Sequence, residues 1–139
     1  MSGSPAERLD RLDWAGIGSS LDQWGYARTP AIVSPSECAE LRALYGDDAR
    51  FRSRVEMARY RFGVGEYKYF SEPLPPIVQE MRECMYPPLA AIANRWEDAL
   101  KTRVRHSADL AGLLTLCARR GQKKPTPLLL RYEAGGYNC

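Results

Sequence analysis

Histidine occurs once in this 139-residue chain, at position 106. A lone imidazole excludes a metal centre built on two histidines, and a His-based catalytic pair, from the residues of one copy. Cysteine is scarce as well. Cys38, Cys84, Cys117 and Cys139 lie far apart, with no Cys-x-x-Cys pair and no Cys/His cluster of zinc spacing, so they read as buried, reduced thiols. No apolar run approaches the roughly 18 residues of a membrane span. The opening MSGSPAERLD has neither a basic start nor an apolar stretch to follow it. No membrane partner is therefore expected, and the expected location is the cytoplasm. Neither sign of charge forms a block: 20 Lys and Arg are spread among 17 Asp and Glu, for a formal net charge of +3. That balance permits nucleic-acid contact without demanding it.

What is present is an ordinary globular composition, enough for one domain, with helical patterns early and strand patterns late. Residues 1–5 read as a tail and Ala6 to Leu12 as a short helix. A helical turn around Leu21 to Trp24 ends at Gly25, and Tyr26 to Val33 reads as extended, with Pro30 marking a sheet edge. Ser34-Pro-Ser-Glu37 is a helix start, and Cys38, Leu41, Leu44 and Tyr45 form the apolar stripe that follows before Gly46. From Phe51 to Phe70, aromatic and β-branched residues alternate with charges around Gly63-Val-Gly65, which predicts two strands joined by a turn. Gly63-x-Gly65 lacks the third glycine and the strand-to-helix setting of a dinucleotide site. Leu74 to Lys101 predicts two helices separated at Pro87-Pro88. Ser107 is the expected cap of a further helix, Ala108 to Arg120, whose inner stripe is Leu110, Leu113, Leu114 and Cys117. Thr126 to Glu133 predicts a strand with no later strand to pair with, and Ala134-Gly-Gly136 a turn or bulge. His106, with Asp109 three residues on, reads as a solvated loop residue at a helix start.

Two sets of residues carry candidate chemistry. The first is the closing stretch LLLRYEAGGYNC, where Tyr132-x-x-Gly135-x-Tyr137 resembles the Tyr-x-x-Gly-x-aromatic approach to the His-x-Asp metal pair of Fe(II)/2-oxoglutarate oxygenases. Phe51 to Met57, Arg61 to Phe70, Pro73-Leu-Pro75, Tyr86 to Leu89, Ala93 to Trp96 and Pro125 to Tyr132 extend the likeness over about residues 20–139. Together they resemble a bacterial subfamily of the prolyl hydroxylase-like branch, one assigned to oxidative dealkylation of damaged DNA. The resemblance implies an α+β fold in which helices pack on the first strands of an incomplete double-stranded β-helix, or jelly roll. It implies residues 1–18 as tail and short helix, and 19–139 as the N-terminal part of one oxygenase domain truncated before its metal motif. It assigns Tyr132 to hydrogen bonding with a carboxylate of 2-oxoglutarate and Tyr137 to the wall of that pocket. Fe(II) and 2-oxoglutarate are the implied cofactors of the complete enzyme. The metal ligands, and the basic residue that holds the far carboxylate, would follow Cys139, so this chain alone is expected to hold no metal and to be inactive.

The second set lies in Arg59-Tyr-Arg-Phe-Gly-Val-Gly-Glu-Tyr-Lys-Tyr-Phe70, where basic and aromatic residues interleave as they do where phosphates and stacked bases are bound. Arg59, Arg61 and Lys68 are the candidate nucleic-acid contacts. An amphipathic hairpin with aromatics inside and charges outside produces the same pattern. This stretch supports the alternative function, a non-catalytic module that binds nucleic acid or a partner protein.

Overall fold

The computed structural model describes residues 2–139. Its elements run α1 (Pro5–Asp10), α2 (Trp14–Trp24), α3 (Pro35–Leu44), β1 (Phe51–Glu56), β2 (Gly63–Val64), β3 (Glu66–Phe70), α4 (Pro76–Ala99), α5 (Leu110–Arg119), β4 (Leu128–Arg131) and β5 (Tyr137–Asn138), with 3-10 turns at Asp48–Arg50 and Met57–Tyr60. They gather into two compact units, Met1–Ser34 with Pro76–Lys123, and Pro35–Pro75 with Lys124–Cys139.

The helical unit begins with a reciprocal cap. Glu7 N–H donates to Ser4 Oγ at 3.2 Å, Ser4 N–H donates to Glu7 Oε2 at 2.9 Å, and Pro5 fills the first helical position, where no donor is required. Leu9 is 1% exposed, and Arg8 is buried beside it. Arg8 donates from Nε to the Ile32 carbonyl at 2.6 Å and from Nη1 to the Gly3 carbonyl at 2.7 Å, so its buried charge is not left bare. Asp13 caps α2 by accepting from Gly16 N–H at 2.9 Å, and Gly25, at φ 74°, closes it in the left-handed region. On α4, Trp96 donates to Asp22 at 2.6 Å and Arg95 at 3.3 Å. The Trp96 hydrogen bond, ahead of the Arg95 charge, holds the Asp22 carboxyl below its ordinary range.

Three expectations are corrected in this unit. α4 runs unbroken through Pro87 and Pro88. Adjacent prolines forfeit only neighbouring donors of one turn, and the flanking turns carry Val78, Ala90 and Ile92 into the core, which favours a continuous helix. The segment 26–33 joins no sheet. The cap of α5 is Asp109, which accepts from Gly112 N–H at 2.8 Å, while Ser107 turns its hydroxyl to Tyr86 and to the Asp109 carbonyl. The cysteines also depart from the buried reading: Cys38 and Cys139 are exposed, Cys84 and Cys117 half-buried, and all four are free.

In the second unit β1, β3 and β4 form an antiparallel sheet in the order β1-β3-β4, and β2 pairs with β5 in a separate two-stranded ladder. The β1–β3 register runs from Phe51↔Phe70 to Glu56↔Glu66, with a bulge between Phe51 and Ser53. The turn that joins the two strands is wider than the glycines alone suggest, because it contains the Met57–Tyr60 turn and β2. β4, expected to lack a partner, finds an earlier one: Leu130 opposes Tyr67 and Leu128 opposes Tyr69. Strand alternation puts Lys68 and Phe70 on one face. Phe70 and Met57 are each 1% exposed, and Phe70 stacks on Phe51 with ring centroids 4.8 Å apart. Lys68 is therefore buried, not outward-facing as the hairpin reading had it.

Candidate active-site cleft

α3 ends over the Lys68 face of the sheet, and the space between them is a cleft of about 700 Å³. Leu41, Arg42, Tyr45 and Gly46 form the helical side, Arg54, Glu66 and Lys68 the strand side, and Leu129 to Tyr132 the β4 side. Glu66 organises the charges. The Tyr45 hydroxyl donates to Glu66 Oε1 at 2.9 Å, the Arg54 guanidinium pairs with Oε2, and Arg131 lies 3.6 Å from Oε1. Desolvation, the largest single influence on Glu66, opposes ionisation, but the hydrogen bonds from Tyr45 and Arg54 outweigh it and hold the carboxyl below its ordinary range. For Tyr45 the same geometry acts in one direction: burial first, then donation to an anion, pushes the phenol up to about 12.

Lys68 anchors the floor. Its Nζ donates to Asp48 Oδ1 at 2.7 Å and to the Tyr45 carbonyl at 2.8 Å, and it lies 4.5 Å from the centroid of the Tyr45 ring. Asp48 is held below the ordinary carboxylate range by that hydrogen bond. Arg42, Arg54, Lys68 and Arg131 thus face Asp48 and Glu66 around one cleft, leaving it cationic.

Tyr132 lines this cleft. Its ring lies against Gly65, where an added Cβ would come within 2.8 Å of Cδ1. The Tyr132 hydroxyl makes no hydrogen bond to any described residue and is open to a ligand. Tyr137 does not join it. It stands on β5 opposite Val64, 55% exposed, and is not among the residues that line the cleft. The three basic candidates are not brought together either. Arg59 is paired with Glu56 at 3.3 Å with its side chain 76% exposed, Arg61 is exposed at the end of the 3-10 turn, and Lys68 is spent on Asp48 inside.

The sequence reading gave no role to Tyr45, Arg54, Glu66 or Arg131. Tyr45 looked like one more apolar residue of a helical stripe. The other three are charges on three separate strands, united only by the ladder Glu56↔Glu66↔Arg131 and its neighbour Arg54↔Lys68↔Leu129.

Iron does not fit the residues present. Among the described residues no three His, Cys, Asp or Glu side chains converge as a metal site. His106 sits in the helical unit, 3.5 Å from Glu97. No step through iron is therefore derived from this chain.

A family model described as an oxygenase catalysing oxidative methylation of damaged DNA matches residues 65–139, more than half of the chain. The chain belongs to this oxygenase family. The match begins at Gly65, the residue against which Tyr132 rests, and takes in β3, β4 and β5, hence Glu66, Lys68, Arg131 and both candidate tyrosines. The wall of the cleft supplied by α3, with Tyr45, precedes the match, as do Arg59 and Arg61. No curated protein and no solved structure matches the chain. Among the described residues no helix is long and apolar enough to cross a membrane.

Proposed function

We propose that this chain is the N-terminal part of a bacterial, cytoplasmic Fe(II)/2-oxoglutarate-dependent oxygenase that dealkylates damaged DNA, and that its cleft receives the 2-oxoglutarate. The observation that carries the reading is Tyr132, a phenol without an internal partner, on the rim of a cleft with four cationic and two anionic side chains, inside the segment that matches the oxygenase family. A free hydroxyl in a cationic cleft suits a carboxylate, since a hydrogen bond to a charged group is about twice as strong as a neutral one. Oxidation of a C–H bond on an N-alkyl group yields a carbinolamine, which sheds the carbon as an aldehyde. An oxidative reaction on a methylated base thus removes the methyl group.

In this reading β4 is an internal strand of a jelly roll whose further strands add to its open edge, as an edge carrying Leu128 to Leu130 would favour. In the same reading the metal ligands lie outside the described residues, none of which gather into a metal site. Tyr132 and the cleft position the ketoacid; iron, when bound, supplies the oxidising power. The test is to sequence the coding DNA past the Cys139 codon. An in-frame His-x-Asp within a few codons, then a distant His and a basic residue, is the expected result. Their absence from every frame would overturn the proposal.

A further inference from the structure

Two aromatic rings stand roughly half in solvent on the turn between β1 and β2. Tyr60 is 59% and Phe62 47% exposed, yet their rings lie stacked, centroids 5.7 Å apart and planes 23° apart. The backbone holds them there. Arg61, between them, takes the left-handed conformation at φ 59°, and Arg61 N–H donates to the Ala58 carbonyl at 3.3 Å. Phe62 N–H donates to the Met57 carbonyl at 3.0 Å, and the Phe62 carbonyl accepts from Cys139 N–H at 2.8 Å. Met57 itself is 1% exposed and anchors the turn in the core. A non-glycine residue at positive φ costs free energy and persists only where the surroundings enforce it. Val64 and its cross-strand partner Tyr137 are 51% and 55% exposed on the ladder that begins one residue after Phe62. An ordered run of exposed apolar side chains of this kind marks a binding surface.

The charges beside it select the occupant. Arg59 projects into solvent with only the exposed Glu56 near it, and among the described residues no carboxylate lies within ion-pair distance of Arg61. Guanidinium groups alternating with open aromatic faces suit phosphates alternating with bases. Bases in a duplex already have both faces covered, so the fit is to an unpaired strand. We propose that Arg59 to Phe62, continued by Val64 and Tyr137, is a stacking platform for single-stranded nucleic acid. The inference rests on the reading of the chain as part of a DNA-acting oxygenase, but Arg59 to Phe62 and Val64 precede the segment that matches the family, and only Tyr137 lies within it.

The experiment is fluorescence anisotropy of this chain with a labelled single-stranded DNA of about 12 nucleotides, within the site sizes such surfaces cover. Tyr60→Ala and Phe62→Ala are each expected to weaken binding roughly five- to 100-fold, and Tyr60→Phe, which keeps the ring, to leave it within about twofold. The Arg59→Gln, Arg61→Gln pair should lower the slope of log affinity against log salt by about 1.4, or 0.7 per phosphate contact. If Tyr60→Ala fails to fold, the arginine pair and Tyr60→Phe decide. Absent binding, binding indifferent to all of these changes, or binding only to duplex overturns the platform. A 2-oxoglutarate titration of the same variants separates the two readings. The platform falls alone if the ketoacid binds and DNA does not, and it stands if Tyr60-dependent DNA binding persists without ketoacid binding.

Discussion

The Tyr45 hydroxyl donates to Glu66 Oε1 across 2.9 Å, joining the residue after α3 to the first residue of β3 and closing the back of the cleft. The bond has a pH signature. In the folded state the phenol titrates at about 12 against an ordinary value of 10.0. The folded chain therefore holds this proton more tightly than the unfolded chain does. The associated stability is fully present below pH 10.0 and is lost as pH rises toward about 12. Denaturant melts across that window should show a decline that Tyr45→Phe flattens, and absorbance titration of the phenolate should follow the same interval.

Glu66 contributes to the acid limb, alongside Asp22 and Asp48. Its folded-state value is depressed below the ordinary 4.5, so its contribution is present above pH 4.5 and is lost as pH falls through the lower folded value. Glu66→Gln should remove that acid dependence. An unchanged acid limb in the variant would assign the loss to other carboxylates.

Lys68 and the two exposed arginines should part company on mutation. Lys68→Met leaves the Tyr45 carbonyl without its donor in a buried place, at a cost of about 1–3 kcal/mol. Arg59→Gln and Arg61→Gln, on the surface, should stay within about 0.5 kcal/mol of the wild type. Urea unfolding of the three variants measures the contrast, and equal effects would contradict the placement of Lys68 inside.

Gly63 is the backbone's tightest obligation in the sheet unit. It sits at φ 125°, and an added Cβ would run into the Tyr137 carbonyl of β5. Gly63→Ala should cost about 1–3 kcal/mol and release the β2–β5 ladder. Hydrogen exchange at the Cys139 amide, bonded to the Phe62 carbonyl, reports that release.

Local chemistry was legible in the sequence where one residue type decides it. The Gly25 stop, the α3 start and the β1–β3 hairpin all follow from neighbours in the chain. The unbroken α4 did not, since the penalty of Pro87-Pro88 is local while the packing that overrides it is not. Lys68 was misread for a related reason. A charge in an alternating strand looks solvated until Asp48 and the Tyr45 carbonyl, 20 and 23 positions away, are folded over it. The motif draws attention to Tyr132, but the cationic cleft around it was not legible, because Arg42, Arg54 and Arg131 belong to three elements that only the fold joins.

The central claim is that Tyr132 and its cleft receive 2-oxoglutarate, and a titration of that ketoacid followed by backbone amide resonances tests it most directly. Saturable shifts should centre on Arg42, Tyr45, Lys68 and Arg131. Tyr132→Phe, which forfeits one hydrogen bond to a charged group, should weaken binding about ten- to a hundredfold with the fold intact. Shifts absent from the cleft, or a Tyr132→Phe variant that binds as tightly as the wild type while melting earlier, would return Tyr132 to a packing role and contradict the account.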